Sequence, residues 1–314
     1  MFNPQSDRDA FDLNSANATK AQLMAFARLA STEISTHDEA NLNSLAETLY
    51  PGTTVYVAHT PKASIDDVVR VAVRVQRLGL QASPHIVARR LESESALRAA
   101  LAQLKGEGIE RILLIAGDRD RPAGPFTSTL EVLESGATAD AGIMSIGVAG
   151  HPEGHPAVST EQLFHALRHK QDFADRTGAH LHVVTQFGFN SRALLAWAAG
   201  LRQLGIRLPV HAGIAGPTPV AKLIKFAVQC GVAASVGSMM KNAGAIAGLV
   251  RGVTSPEEMI AGVLRGYLHN RSLQIVQPHI YAFGGVLATA TWFRAIIDGK
   301  FDLTAGRQAF RVTA

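Results

Sequence analysis

The chain has 314 residues, of which 47% are hydrophobic, so it can bury a large core and is not globally disordered. Thirty lysines and arginines against 26 acidic residues leave a net charge of +4. These charges are dispersed and only 6% of the residues are aromatic, which argues against a nucleic-acid partner.

The single cysteine, Cys230, excludes an intrachain disulfide framework and a cysteine-rich metal site. Its apolar surroundings predict a buried structural thiol. The polar amino terminus lacks a signal-peptide core, and no apolar run reaches membrane-spanning length. We therefore expect a soluble, cytoplasmic protein with no membrane partner. The sequence leaves the oligomeric state open, a homo-oligomer included.

Apolar runs typical of buried strands alternate with helical patterns along the chain. An amino-terminal helix is predicted over residues 4–27. The predicted strands are 29–36, 53–59, a run ending near His85, 111–116, 143–148, 180–187, 208–214 and 273–283. The predicted helices are 38–49, 64–78, 93–104 with Ser93 as N-cap, 126–134, 159–177, 191–204, 217–231, 239–250, 255–270 and a closing helix to about residue 297.

Eight strands separated almost everywhere by helices predict a (β/α)8 TIM barrel, hence the α/β class, as a single domain. We assign residues 1–28 to an amino-terminal helical extension and 29–314 to the barrel. A doubly wound sheet is the main alternative, but no GxGxxG motif follows the first strand. The chain ends shortly after its closing helix, so we expect no adenosylmethionine-binding regulatory domain.

Two apolar runs, LLIAGDRDRPAG at 113–124 and IGVAGHPEGHP at 146–156, stop in polar loops, as barrel strands do where they open onto a site. Polar residues at strand ends supply the candidates. These are Glu33, His85, Asp118, the loop from His151 to His155, Gln186 and Tyr281. A carboxylate at Asp118 can bind a ring N–H, and the Gln186 amide can both donate to and accept from a heteroaromatic edge.

Histidine spacings also raise a metal-dependent barrel hydrolase as a weaker alternative. His165 and His169 stand four apart on one predicted helix, and His180-x-His182 has the spacing of some metal hydrolases. However, the second pair opens the sixth strand instead of ending the first, and the helical pair lies on a polar face. We therefore predict no metal site.

Several segments resemble the methylenetetrahydrofolate reductase family, in the family's order, from about residue 33 to 293. The loop GDRDRPAG resembles its "RGD" loop, GHPEGHP its "YPExHP" loop, and HKQDFADRTGAHLHVVTQFGFN its "KxDAGAxFxITQxFFD" segment. The residues kept include Gly117, Asp118, Pro152, Glu153, His155, Pro156, Lys170, Asp172, Gly178, Thr185, Gln186 and Phe189. His85 matches the family's third-strand histidine and Phe226 its helical phenylalanine.

The resemblance implies an oxidoreductase of one-carbon metabolism that interconverts 5,10-methylenetetrahydrofolate and 5-methyltetrahydrofolate. Hydride would come from NADH or NADPH through FAD. By position, Glu33 would be the acid that opens the folate ring, and Asp118 would bind the pterin and tune the flavin. Gln186, Phe226 and Tyr281 would bind substrate. His85, Gly117, Asp118, His151, His155 and Lys170 would contact FAD.

The chain also departs from the family pattern, mostly at flavin contacts. Ala116 replaces the arginine before Gly117, His151 replaces a tyrosine, His169 an arginine, and Gly285 the arginine after the last strand. These changes leave several readings open: a divergent FAD enzyme, a flavin-free reductase, a paralogue that oxidises 5-methyltetrahydrofolate, or a folate-binding paralogue without turnover.

Overall fold

Eight parallel strands close into a barrel in a computed structural model that describes residues 16–188, 190–219, 222–223, 225–226, 256–304 and 309–313. Each strand pairs with its neighbours in the sequence, and the last pairs with the first, which confirms the predicted TIM barrel. The strands are β1 Ser31–Ser35, β2 Thr54–Ala58, β3 Gln81–Val87, β4 Arg111–Ile115, β5 Ser145–Gly150, β6 Leu181–Thr185, β7 Val210–Ala215 and β8 Ile275–Tyr281.

Helices connect the strands and cover the outside of the barrel. They are α1 Ala16–Arg28, α2 Leu42–Thr48, α3 Ile65–Arg77, α4 Glu94–Gly106, α5 Thr129–Glu134, α6 Ala137–Asp140, α7 Thr160–Thr177, α8 Ser191–Gln203, α9 Glu257–His269 and α10 Val286–Ile297. None of the described helices is both long and apolar enough to cross a bilayer. Three expectations lie outside the described residues: Cys230, the helix at 239–250 and the motif residue Phe189.

Local side-chain chemistry explains where the helices begin. Ser93 accepts a hydrogen bond from the Ala96 amide and caps α4, as predicted. The predicted helix at 126–134 instead begins at Thr129, because Ser128 and Glu131 form a capping box there. The fifth strand begins two residues later than predicted, because the amides of Met144 and Ser145 both donate to the Glu110 carbonyl before pairing starts.

A small antiparallel hairpin follows α10 and was not predicted. It consists of β9 Phe301–Leu303 and β10 Phe310–Val312, whose phenylalanines contact each other. Its strands are short, so they carry too little alternation to indicate a strand from sequence. The division between residues 1–28 and 29–314 stays a prediction, although the described part of the extension is helical as expected.

The barrel strands separate two sets of buried side chains. Side chains facing outwards, such as Ile34, Val57, Ile112 and Val183, join one apolar core with the helices. The inward-facing cluster of buried apolar residues is small and comprises Tyr56, Leu113 and Val184. The remaining inward space holds polar groups, whereas TIM barrels usually fill it with branched aliphatic residues. The polar interior is therefore the candidate site.

Candidate active site

Glu33 lies in the barrel interior between two histidines from neighbouring strands. Its Oε2 atom is 3.2 Å from Nε2 of His85 on β3 and 3.6 Å from Nε2 of His279 on β8. The strand register explains the contact, because Glu33 on β1 pairs with Tyr281, two residues beyond His279. Strand periodicity then turns Glu33, His279 and Tyr281 to the same side.

The two imidazoles determine the ionisation of Glu33. Burial alone would raise the pKa of this carboxyl, but the neighbouring His85 and His279 outweigh that effect and lower the pKa to about 2. Burial also lowers the pKa of His279, although the contact with Glu33 opposes the shift. Glu33 is therefore a carboxylate at neutral pH, beside a His279 ring that is neutral.

Hydrogen bonds beneath His279 orient its ring towards Glu33. Gln277 Nε2 lies 3.4 Å from Ser31 Oγ and donates to it, and Ser31 Oγ is 2.8 Å from His279 Nδ1. With its oxygen already accepting, Ser31 can give its own proton to Nδ1. When Ser31 donates to Nδ1, the ring proton of neutral His279 is on Nε2, the nitrogen that faces Glu33.

A stack of aromatic rings adjoins the carboxylate. Tyr281 stacks on Phe283 with ring centroids 5.4 Å apart, and Phe283 stacks on Phe226 at 4.4 Å. Phe187 closes one edge of the stack, 4.8 Å from Phe283. The His279 ring meets Tyr281 edge-on at 4.7 Å, which connects the stack to Glu33 and its two histidines. Planar heteroaromatic ligands bind to surfaces of this kind.

Gln186 is held beside the same tyrosine by backbone contacts at the end of β6. Its backbone N–H donates to the Gly150 carbonyl at 2.8 Å. The Tyr281 hydroxyl donates to the carbonyl of the preceding residue, Thr185, at 2.9 Å. The Thr185 hydroxyl in turn accepts from the Gly213 amide at 2.8 Å. The structure thus brings Gln186, Tyr281, Phe226, Glu33 and its histidines to one region.

A second group of predicted residues gathers after β5. The His151 and His155 rings meet edge-on at 5.2 Å. Burial, with the nearby His155 and Lys170, lowers the pKa of His151 to about 4. Burial likewise lowers the pKa of Lys170 to about 8. The Lys170 ammonium donates to the Ala166 carbonyl of its own helix at 3.4 Å, and no carboxylate of the described residues forms an ion pair with it.

Asp118 and Gly117 lie at the end of β4, apart from Glu33 and its two histidines. The Asp118 side chain is 75% exposed and forms an ion pair with Arg90 at 3.1 Å. Gly117 has φ +90° and packs so closely against Val87 that a Cβ atom would lie 2.4 Å from its side chain. The described contacts do not join Asp118 to Glu33. Its pterin and flavin roles remain predictions, as does the flavin contact of His85, which here faces Glu33.

Sequence reasoning missed His279, Ser31 and Phe283. A signal was present, because alternation in QPHIYAF places His279 on the same strand face as Tyr281. Tyr56 was also missed. Its ring lies 4.7 Å from that of His279, and its hydroxyl is 3.2 Å from Nε2 of His182.

No described contact joins the histidines of the metal alternative to Glu33. His180 precedes β6 at the amino-terminal mouth of the barrel, and His182 stacks on His211 with centroids 4.1 Å apart. Within the described ranges, no three His, Cys, Asp or Glu side chains come together in a way that could hold a metal ion. The geometry therefore gives no support to a hydrolase that uses His180 and His182.

His182 makes stability depend on pH. Burial, reinforced by Arg111 and His279, lowers its pKa from 6.5 to about 4, so its stabilising effect is full above pH 6.5 and lost as pH falls towards 4. From pH 7 to pH 5 this ring alone should remove about 2 kcal/mol from the free energy of unfolding, since the unfolded chain binds the proton and the folded chain does not.

Urea unfolding of a His182→Asn variant at both pH values tests this. Asparagine keeps an acceptor for the Tyr56 hydroxyl but cannot titrate, so the difference between the two pH values should shrink by that amount. His269→Asn, at the exposed end of α9, is the matched control and should keep the wild-type difference. Equal pH dependence in the two variants would contradict the assignment.

Comparison with known proteins identifies the family of this chain. A family model for methylenetetrahydrofolate reductase matches residues 37–245, about two thirds of the chain. The chain belongs to the methylenetetrahydrofolate reductase family. This confirms the family suggested by the sequence motifs. The matched range includes Asp118, Lys170 and Gln186, whereas Glu33 and Tyr281 lie outside it.

Curated relatives are distant. The chain is 26% identical over 162 residues to "Methylenetetrahydrofolate reductase 2" of Saccharomyces cerevisiae, covering 49% of this chain and 26% of the relative. It is 29% identical over 129 residues to "Probable methylenetetrahydrofolate reductase (NADH)" of Oryza sativa subsp. japonica, covering 37% of this chain and 21% of the relative. The matched part of the chain thus spans about a quarter or less of these relatives' length.

Among solved structures, the carboxyl transferase domain of Rhizobium etli pyruvate carboxylase is similar, with a TM-score of 0.48 and 8% identity. The aligned region covers 94% of this chain and 50% of the pyruvate carboxylase chain. The barrel assignment rests on the strand order and not on this likeness.

Proposed function

We propose that this member of the methylenetetrahydrofolate reductase family reduces 5,10-methylenetetrahydrofolate to 5-methyltetrahydrofolate, with NADH or NADPH as the electron source. The observation that carries the proposal is the Glu33 carboxylate, held by His85 and His279 beside the stack of Tyr281, Phe283 and Phe226. A planar pterin fits such a stack, and the reaction needs a proton source next to it.

The proton is needed where the folate ring opens. When the bond between N10 and the methylene carbon breaks, the carbon becomes an iminium group on N5 and N10 is left as an amine that takes up one proton. Hydride addition to the iminium carbon then gives the methyl group. Since Glu33 is ionised, we propose that it relays the proton: a protonated imidazole beside it gives up the proton, the carboxylate carries it to N10, and water reprotonates the imidazole.

Gln186 would fix the orientation of the pterin. Its side chain can both donate to and accept from the edge of a heteroaromatic ring, and its backbone is anchored to Gly150. Tyr281 holds the same segment through the Thr185 carbonyl. Asp118, exposed at the end of β4, would reach the pterin from the rim.

The donor set after β5 fits the phosphate part of FAD. Lys170 is a buried cation without a carboxylate partner among the described residues, and His151 and His155 lie beside it. A phosphate group would compensate a charge buried in this way. We propose that these three residues, with the backbone at Gly117, hold FAD. FAD held there would supply the hydride chemistry between NAD(P)H and the folate carbon.

The visible absorption spectrum of the purified protein tests this proposal. A flavin spectrum that NADH bleaches and 5,10-methylenetetrahydrofolate restores would support both the reaction and the cofactor. Oxidation of NADH by the folate in a colourless protein that added FAD cannot colour would support the reaction and overturn the cofactor assignment. Folate binding without turnover under any donor would overturn the catalytic proposal in favour of a binding paralogue.

Lys170→Met tests the phosphate contact separately. Methionine preserves much of the buried volume but removes the charge, so we expect FAD affinity to fall about tenfold or more. Flavin fluorescence titration measures the affinity, and the exposed Lys62→Met is the control. Equal FAD affinity in the two variants would remove Lys170 from the cofactor site.

A further inference from the structure

A polar cavity of about 520 Å³ opens at the amino-terminal mouth of the barrel, opposite the strand ends that carry Asp118 and Gln186. The first residues of several strands line it, and α7 closes one side. The charged and imidazole side chains of the lining are Arg111, Asp175, His180, His182, Arg207 and His211. A cavity of this volume is within the range that holds small molecules.

Positive charge faces this cavity without an equal negative charge. Arg111 forms no ion pair with any carboxylate of the described residues, and strand alternation turns it to the same inward side as Leu113. Asp175 is the one acidic side chain among the described residues of the lining. Both of its oxygens already accept from Arg207 at 2.9 Å, and Gln171 donates to one of them at 2.8 Å.

Two buried imidazoles form the inner wall. His211 is 91% buried, and its Nδ1 atom has no hydrogen-bond partner among the described residues. The His182 ring stacks on it with centroids 4.1 Å apart, and its Nε2 atom is 3.2 Å from the Tyr56 hydroxyl. A buried ring nitrogen without a partner costs stability, so a ligand that accepts or donates there would be bound favourably.

The groups facing these rings favour the neutral form. Burial lowers the pKa of both imidazoles; Arg111 and His279 lower that of His182 further, and His182, His279 and Arg111 lower that of His211. Glu33, the carboxylate in the barrel interior, is paired with His85 and His279, so it does not offset this effect. An anion in the cavity would reverse this balance, since it would compensate Arg111 and favour protonated imidazoles.

We propose that the amino-terminal mouth of the barrel is a binding site for a small anion, a carboxylate or phosphate group, held by Arg111 and by the imidazoles of His182 and His211. The site goes beyond the proposed reductase activity and does not depend on it. Arg111 binds the anion at the mouth, and the two rings donate from below once protonated.

The test uses the full-length chain with ¹⁵N-labelled histidine. The imidazole signals of His182 and His211, assigned through single substitutions, are followed by NMR while inorganic phosphate or acetate is added separately. We expect saturable shifts with at least one anion and a rise of the ring pKa values in its presence. The anion that saturates at lower concentration identifies the preferred group. Absence of saturable shifts with both anions at 50 mM would overturn the proposal.

Charge variants make the test specific. Arg111→Gln should weaken anion binding about tenfold or more, and Arg111→Lys should restore part of it. Asp175→Asn removes the negative charge of the lining and should tighten binding. Arg77→Gln, at an exposed site on α3 outside the lining, should leave binding unchanged. Equal affinity in Arg111→Gln and Arg77→Gln would show that the anion does not bind at this mouth.

Discussion

Glu33→Gln should lower turnover of 5,10-methylenetetrahydrofolate by about 10²–10⁴-fold, the usual contribution of a positioned acid or base. Glutamine matches the shape of glutamate and keeps a carbonyl oxygen to accept from the histidines, but it cannot carry the proton that N10 requires. The aromatic stack and Gln186 are left in place, so folate affinity should change little. Steady-state kinetics and folate binding by fluorescence separate the two effects.

Glu47→Gln is the matched control for this experiment. Glu47 lies on α2, the helix that follows β1, and its side chain is exposed. The substitution makes the same chemical change without touching the barrel interior, so its kinetics should equal those of the wild type. If Glu33→Gln retained wild-type turnover, Glu33 would have no part in the chemistry, and the proton would have to come from another group.

The pH dependence of turnover adds an independent check on Glu33 and the imidazoles beside it. His85 and His279 pull the pKa of Glu33 down to about 2, so the carboxylate itself does not titrate near neutrality. A pKa seen in the turnover profile would then belong to the His279 imidazole, whose pKa is lowered by burial and raised by Glu33. Since glutamine removes the negative charge that favours protonated imidazole, Glu33→Gln should move that pKa to lower values.

The barrel was predictable from sequence, because buried parallel strands separated by helices leave a periodic pattern at each step. The candidate site was only partly predictable. Glu33 could be placed in a strand, but the neighbours of its side chain depend on the pairing of β1 with β8. Ser31 and His279 meet across 248 residues, and no local pattern carries that register. The polar interior was missed for a related reason. Its histidines come from different strands and become neighbours only when the barrel closes.

Motif resemblance and geometry contributed different residues to the site. Asp118, Lys170 and Gln186 came from segments whose sequence resembles the family motifs. The orientation of His279 by Ser31 and Gln277 came from hydrogen bonds that a motif does not contain. Where the two sources meet, at Glu33 and Tyr281, the residues are adjacent in the strand register. This convergence at residues outside the range of the family match is independent support for the site.

Gly213→Ala should destabilise the protein by about 3 kcal/mol, at the upper end of what overpacking of a buried site usually costs. A Cβ atom at this position would lie 2.2 Å from the Thr185 carbonyl oxygen and 2.7 Å from that of Gln186. These are backbone atoms at the end of β6, so no side-chain rotation can relieve the contact. The strand end must move, and Gln186 moves with it. The free energy of unfolding in urea should fall, and KM for the folate should rise.

Gly106→Ala provides the opposite expectation from the same chemical change. Gly106 is the last residue of α4, and a Cβ atom there would meet nothing within 4 Å. Alanine in a helix is favoured over glycine by roughly 0.5–1 kcal/mol, so this variant should be slightly more stable and have unchanged kinetics. If Gly213→Ala also left stability and KM unchanged, β6 and β7 would not be packed as closely as the structure has them. The positioning of Gln186 by that contact would then be wrong.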